Sequence, residues 1–370
     1  MGKPNLSNSA SIPSRQTRRW PWIVAVILAP ILFILAWYCL VIFRPIAKDH
    51  ADRIVISIPS GGFHNTAAVF AASGIVTPAL FFEIHGTLLG ARRKVRTGAY
   101  FVDPNWSPHE LLQHIVAGDN RAVYRVTLPE GLNIWQTAQR LDQAGAATAA
   151  EFLQTCSDWT WAAKHQPIAH KPTPEQFPGR NLTDVSALEG YLFPSTYEFV
   201  WGSSTEDIVK TMLDLFNVEW TRLSQQYANS KAALAKEFGF RDHDFVILAS
   251  LVEKEVQRSE ERPVVASVFY NRLRQSMKLQ TDPTLVYSAV HYADKPSPAH
   301  RKDDTNPYNT YAFPGLPPGP IANPGRDSLR AVLAPEVTDY LFFVAKNDGS
   351  GGHFFSKTFA EHRKAIQGEP

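Results

Sequence analysis

Leu248 to Leu273 reads LASLVEKEVQRSEERPVVASVFYNRL, and it follows a run, Phe245 to Val252, that is apolar except for Ser250. Two glutamates, Glu253 and Glu255, close that run. At 3.6 residues per turn, Phe245, Leu248, Ala249, Val252 and Val256 fall on one stripe, widened by Leu251, so the pattern predicts a helix with one buried face. Helical side chains lean back over the preceding turn. Glu255 therefore lies over Val252 and Leu251, and Glu253 over Ser250 and Ala249. Apolar surroundings disfavour a charged carboxylate and raise its pKa, which keeps a proton available near neutral pH. Glu255 is the better placed of the two for general acid chemistry. A solvated Glu-Lys-Glu surface is the plain alternative, and the charges alone leave both readings open.

The residues beyond the two acids bear on the choice. Val264 to Leu273, after Pro263, reads as a second amphipathic helix, and MKLQTDPTLVYS (277–288) leads out of it with Gln280, Thr281 and Asp282 in a turn. A helical hairpin followed by NPYNTY (306–311) brings amides, hydroxyls and phenol rings near the helical acid. Phenol faces stack on sugar rings while amides and hydroxyls bind sugar hydroxyls, so the set suits an oligosaccharide groove.

The wider chain narrows the function. With 370 residues, more than one folded unit is expected. A net charge of +2, from 37 basic and 35 acidic residues, gives no basic footprint for nucleic acid. Cys39 and Cys156 are the only cysteines, too few for a disulfide framework or a Cys-rich zinc site. His353, after Gly351 and Gly352, has no second histidine at metal spacing, so no metal is proposed there. PSGG (59–62) lacks the Gly-Lys-Ser/Thr ending of a phosphate loop.

Trp20 to Phe43, WPWIVAVILAPILFILAWYCLVIF, holds 24 residues without a charge. At about 1.5 Å per residue it spans a hydrocarbon layer of roughly 30 Å. It is too long for a signal-peptide apolar core and no small-residue cleavage site follows, so a retained anchor is expected. Aromatics at both ends (Trp20, Trp22; Trp37, Tyr38) suit the headgroup level. Lys3, Arg15, Arg18 and Arg19 precede the segment without an acid, whereas Arg44, Lys48 and Arg53 alternate with Asp49 and Asp52. The positive-inside rule puts the short tail in the cytoplasm and the remainder across the membrane.

Two stretches beyond it repeat one pattern. RIVISIPSGGFHNTAAVFAASGIVTPALFF (53–82) and VYRVTLPEGLNIWQTAQRLDQAGAATAAEFL (123–153) each run strand, Pro-x-Gly turn, helix, Gly stop, helix. Between them, VRTGAYFVDPNWSPHELLQHIVAGDN (95–120) reads as a strand and a helix capped near Ser107 with Pro108 at its first position. The strand-helix-helix-strand order resembles LysM, a small module that binds N-acetylated glycans. From Pro283 the chain turns rich in Pro and Gly. NPYNTYAFPGLPPGPIANPGRDSL (306–329) carries too many prolines for regular structure, a strand is expected at Tyr340 to Ala345, and a Gly-rich turn leads into a last helix.

Taken in order, ASLVEKE, ERPVVASVFYNRL, LQTDPT, YNTY, GLPPGPIANPG, the Ser328-Leu329 pair and GGHFFS, with EGYLFPSTY upstream, resemble the MltG family of endolytic murein transglycosylases, the YceG-like proteins. The likeness runs from the apolar segment to the C-terminus. It implies a single-pass inner-membrane enzyme that cuts nascent peptidoglycan strands between N-acetylmuramic acid and N-acetylglucosamine without water, leaving 1,6-anhydro ends. The family's essential acid is a glutamate of the EKE motif, here Glu255 by preference or Glu253. The resemblance further implies proximity to penicillin-binding proteins and elongation machinery, and no cofactor.

The expectation is thus an α+β chain: a cytoplasmic tail (1–19), a transmembrane helix (20–43), a LysM-like module (50–125) and a catalytic domain (126–370) whose helical hairpin carries the acid. Gln280, Tyr308, Asn309, Tyr311 and Glu189 are the expected substrate-binding shell, with Tyr191 in a second wall. A hydrolytic glycosidase needs a second carboxylate; Glu189 or Asp282 beside Glu255 would make the protein a muramidase. A scaffold or glycan-binding protein without activity is the other alternative.

Overall fold

The computed structural model describes residues 20–46, 54–59, 62–183 and 185–368. The tail assigned to the cytoplasm, 1–19, lies outside them. Helix α1 (Trp20–Phe43) is unbroken, with Pro30 inside it, and is exposed along nearly its whole length. Its segment Trp22–Phe43 is long and apolar enough to cross a membrane.

The remainder is mixed α+β, and the chain divides into two compact units, Met1–Ala122 and Val123–Pro370. In the first, β1 (Ile54–Ile58) is followed by α2 (Phe63–Ala72), α3 (Ala79–Leu88), β2 (Gly98–Val102) and α4 (Pro108–Ala117). β1 and β2 pair antiparallel with Ile56 opposite Tyr100. Both helices between them lay aromatic residues (Phe63, Phe70, Phe82) into one core with Leu111, Leu112 and Ile115 of α4. α4 begins where the sequence signals: Ser107 accepts from Glu110 N–H, the Glu110 carboxylate accepts from Ser107 N–H, and Pro108 opens the helix. Such a reciprocal cap stabilises by about 1 kcal/mol.

In the second unit β3 (Val123–Leu128), α5 (Ile134–Gln143), α6 (Ala149–Ser157), α7 (Trp159–His165) and β4 (Ser195–Val200) repeat the order of the first. β3 pairs antiparallel with β4, Val126 opposite Tyr197. The repeat read in the sequence therefore yields the same strand-helix-helix-strand arrangement twice, the second copy enlarged by the segment between α6 and β4. Gly190, in the EGY motif ahead of β4, has φ of 88° and lies where an added Cβ would sit 2.6 Å from the Pro320 ring. Only glycine fits both conditions.

A helical body comes next: α8 (Thr205–Gln226), α9 (Ala228–Phe238), α10 (Asp242–Glu255), α11 (Arg262–Arg274), α12 (Pro298–Lys302) and α13 (Arg326–Leu333). The antiparallel hairpin β5 (Phe342–Ala345) and β6 (His353–Ser356) and helix α14 (Phe359–Ile366) complete the chain. α10 is the central element, with α11 and α13 packed on it. The one-sided stripe expected for α10 is corrected here: every residue from Phe245 to Val252 is buried, because neighbours cover the helix all round. Val256 lies beyond the helix end in extended backbone. The proline-rich 306–329 stretch is irregular until Arg326, where α13 begins.

Candidate active site

The three residues of the Glu-Lys-Glu motif go to three different places. Glu253, whose side chain is only 5% exposed, accepts from Gly325 N–H (3.0 Å) and Ser328 Oγ (2.7 Å) on one oxygen and from Arg262 Nη2 (3.3 Å) on the other. Gly325 is the N-cap of α13 and Ser328 lies in its first turn. The carboxylate thus sits at the positive end of that helix, where negative charge is favoured. Lys254 donates through Nζ to the carbonyl of Gly131 (3.0 Å) in the Pro129-Glu-Gly turn, tying α10 to the second strand-helix-helix-strand unit.

Glu255 ends α10, at the negative end of its own helix, and remains partly exposed. Its Oε1 accepts from the Thr281 hydroxyl. Loss of water around the carboxyl pushes its pKa up to about 7, and the hydrogen bond from Thr281 opposes the rise less than burial drives it; the charge of Asp282 adds to the rise and that of Arg272 subtracts. A carboxyl poised there can give up a proton and take it back near neutral pH.

The turn that meets Glu255 is held from two sides. Arg272 of α11 donates to the carbonyls of Leu279 (2.8 Å) and Leu341 (2.6 Å). Thr310 of the YNTY stretch accepts Gln280 N–H at its carbonyl (3.2 Å) and Thr281 N–H at its hydroxyl (3.0 Å). Gln280 has φ of 51°, left-handed backbone uncommon for a residue with a Cβ, and its side chain is exposed. Strain of this kind persists only where surrounding contacts fix it. Asp282 accepts from Tyr311 Oη (2.6 Å) and from Arg301 Nη2 (3.1 Å), and Arg301 lies 5.1 Å over the Tyr311 ring. Gln280, Tyr311 and Asp282 are therefore gathered around Glu255. Thr281, Thr310 and Arg272 complete the group, and the shell expected from the sequence omits them. The signal for Thr281 is its place between Gln280 and Asp282.

Other expected shell residues serve the scaffold, and these are corrections. Asn309 is fully buried; its amide donates to the carbonyls of Asp303 (2.6 Å) and His300 (3.2 Å) and its oxygen accepts from Tyr311 N–H (2.9 Å), which leaves it no face for substrate. Tyr308 is largely buried with its ring 4.5 Å from that of Tyr287, and both line a cavity of about 230 Å³ away from Glu255. Glu189, 1% exposed, accepts from Ile134 N–H (2.8 Å) and Tyr287 Oη (2.9 Å), so it binds the start of α5 and forms no cleft wall. Burial raises its pKa to about 7 against those hydrogen bonds. Tyr191 is likewise in the core, its hydroxyl 2.5 Å from His243 Nδ1. His353 pairs with Glu261 at 2.6 Å, a structural contact.

Two adjoining cavities, of about 640 and 230 Å³, share Trp135, Asn181 and Val185; neither is lined by Glu255. His291, Asp294 and His300 present ligand atoms within 4.8 Å of one another at the surface, a juxtaposition hidden in the sequence. Two of them already form an ion pair, His291 Nδ1 to Asp294 at 2.7 Å.

A buried structural carboxylate beside a proton-holding one, with amide, hydroxyl and phenol groups around the second, defines a candidate acid-catalysed site on a mixed α+β scaffold. Residues 56–368 match the YceG-like family, and the chain belongs to it. A protein of Bacillus subtilis (strain 168) named endolytic murein transglycosylase is 31% identical over 332 residues, 88% of this chain and 87% of that relative. One of the same name from Streptococcus pneumoniae (serotype 2, strain D39) is 29% identical over 324 residues, and the match spans 83% of this chain but 57% of that longer protein. A crystal structure of a yceG-like protein from Listeria monocytogenes aligns with a TM-score of 0.55 at 30% identity, covering 85% of this chain and 99% of the other.

Proposed function

We propose that this chain is an endolytic murein transglycosylase, a lytic transglycosylase that cleaves peptidoglycan glycan strands, and that Glu255 is its general acid and base. The observation that carries the assignment of the acid is the division of labour within Glu-Lys-Glu: Glu253 is consumed by Arg262, Gly325 and Ser328, while Glu255 accepts from the Thr281 hydroxyl in the turn that carries Gln280 and Asp282. One carboxyl suffices for a non-hydrolytic cut. Glu255 protonates the glycosidic oxygen as the bond to C1 of N-acetylmuramic acid breaks and positive charge spreads over C1 and the ring oxygen. The resulting carboxylate then takes the proton of the muramoyl 6-hydroxyl as that oxygen bonds to C1. The product is a 1,6-anhydro end with no water added, and the carboxyl is protonated again. An intramolecular hydroxyl held over C1 has an effective concentration that bulk water does not reach. Gln280 and Tyr311 are the side chains best placed to orient the sugar.

A muramidase would need Asp282 as its second carboxylate. Asp282 already accepts from Tyr311 and Arg301, so its oxygens are engaged within the turn and not presented to a water, which favours the lytic route.

In the same reading α1 is a single-pass anchor in the inner membrane with a cytoplasmic N-terminus, residues from about 45 onward face the periplasm, and the module of 50–125 is LysM-like and contacts glycan. Nascent strands would be met close to where penicillin-binding proteins and the elongation machinery make them. The test is digestion of purified peptidoglycan by the full chain and by Glu255→Gln, with product masses recorded. Anhydro ends from the first and none from the second are expected. Products heavier by one water would identify a muramidase, and unaltered digestion by the variant would remove Glu255 from the chemistry. No digestion by either, from folded protein, would favour a scaffold.

A further inference from the structure

Helix α3 carries apolar residues on two of its faces. Phe81, Phe82, His85 and Gly86 are buried in the first unit, whereas Leu80, Ile84 and Leu88 are exposed at 60%, 44% and 74%. Spaced four residues apart, these three stand one above another as a stripe. Glu83, paired with His64 at 2.8 Å, and Thr87 border the stripe, so α3 is amphipathic with a second, exposed apolar row, and such a row is ordinarily covered by protein or lipid. Charge comes directly after the stripe: Arg92, Arg93, Lys94 and Arg96 are all exposed, and no acid occurs between Ile84 and Val102.

The third observation is where α3 is fastened. Phe81 meets Trp37 of α1 edge to face at 5.1 Å and Tyr38 at 5.6 Å, and the Tyr38 hydroxyl lies 2.7 Å from His85 Nδ1. Trp37 and Tyr38 are the aromatics that mark the headgroup level near the end of α1. Trp37 precedes that end, Phe43, by about 9 Å at 1.5 Å per residue. His85 also meets the Phe43 ring at 5.8 Å, so α3 is attached along the last turns of α1, from Trp37 to Phe43, the part of an anchor that lies at the boundary between chains and headgroups.

We propose that α3 and the basic segment after it form a membrane-docking surface. Leu80, Ile84 and Leu88 enter the boundary layer of the bilayer that α1 crosses, and Arg92, Arg93, Lys94 and Arg96 lie against the phosphates of anionic lipids. This rests on the reading of α1 as an anchor. Its consequence is that the first unit is laid against the membrane and does not swing free on a tether.

The test uses the full chain with Cys39→Ser, Cys156 being buried, and an environment-sensitive dye on Leu88→Cys, or on Ser73→Cys as the exposed control. Each protein is placed one copy per nanodisc of zwitterionic or anionic lipid. The expected result is several-fold stronger quenching of the dye at 88 than at 73 by acyl-brominated lipid, greater in anionic discs and reduced by Arg92→Glu, Arg93→Glu and Lys94→Glu together. A dye at 88 that stays in water while the chain resists alkaline extraction would overturn the docking and leave the anchor standing. Loss of the chain on alkaline extraction would overturn both. Quenching that appears only with several copies per disc would assign the stripe to a second copy and overturn the lipid assignment.

Discussion

Glu253 and Glu255 are two residues apart on one helix, yet their surroundings are opposite. Glu253 accepts hydrogen bonds from the N-terminus of a neighbouring helix, an arginine and a serine hydroxyl. Glu255 stands at the C-terminus of its own helix with a single threonine hydroxyl and the charge of Asp282 nearby. Loss of water raises the proton affinity of Glu255, with Asp282 adding to the rise, whereas Glu253 clamps α10 to the start of α13. Proximity in sequence says little about role when a helix ends between two neighbours.

The largest test of that contrast is Glu255→Gln, expected to lower the rate about 10²–10⁴-fold, the usual worth of a positioned acid-base group. Thermal unfolding at pH 8 should be unchanged or shifted upward, because an amide carries no charge for that environment to disfavour. The reciprocal variant, Glu253→Ala, should cost about 1–3 kcal/mol of stability by leaving Gly325 N–H and Ser328 Oγ without their acceptor, while Arg262 keeps Glu130 at 3.7 Å. Activity per folded molecule should change far less, as measured by denaturant unfolding beside a sacculus digestion assay. If Glu253→Ala stayed fully stable and Glu255→Gln unfolded, the comparison would be inverted.

Acidity gives an intermediate effect. The rate should fall above about pH 7 as Glu255 loses its proton, by about tenfold per unit where protonation limits. For stability the sign is fixed by linkage: the pKa is raised from 4.5 to about 7 on folding, so the folded state holds more protons than the unfolded state between those values. The carboxyl's contribution is complete below its unfolded pKa and is lost as pH rises through about 7. Glu189, also raised to about 7, acts in the same direction. Glu255→Gln should therefore flatten part of that decline and leave the Glu189 share, which stability curves measured from pH 5 to 8 would reveal.

The smallest expected effect is that of Thr281→Val. Removing a hydroxyl that favours the charged form should move the high-pH limb of activity upward by less than about one unit, worth roughly 1 kcal/mol. A downward shift would mean that the hydroxyl bonds the protonated carboxyl.

Much of the architecture was legible. Alternation at Ile54 to Ile58 and Val123 to Leu128, Gly stops at 74 and 145, and the Ser107-Pro108 cap all act within a few residues, so local chemistry predicts them and the elements form there. The candidate site was legible in part. Sequence favours Glu255 because its side chain lies over apolar residues, and the turn with Gln280 and Asp282 reaches it through Thr281. Asn309 and Glu189 misled because an amide or acid in a loop looks alike whether it faces solvent or staples backbone.

By itself, the sequence determined the apolar helix, the repeated strand-helix-helix-strand units and the helix that carries two acids, since these depend on periodicity, turn residues and caps close along the chain. Only the tertiary structure decided which acid is tied to a neighbouring helix and which has its proton affinity raised by burial. The partners responsible, Arg262, Gly325, Ser328 and Thr281, lie 9 to 75 positions away from the acid they bind. A carboxyl's proton affinity is set by the charges and dipoles a few ångströms from it, and folding alone brings those together.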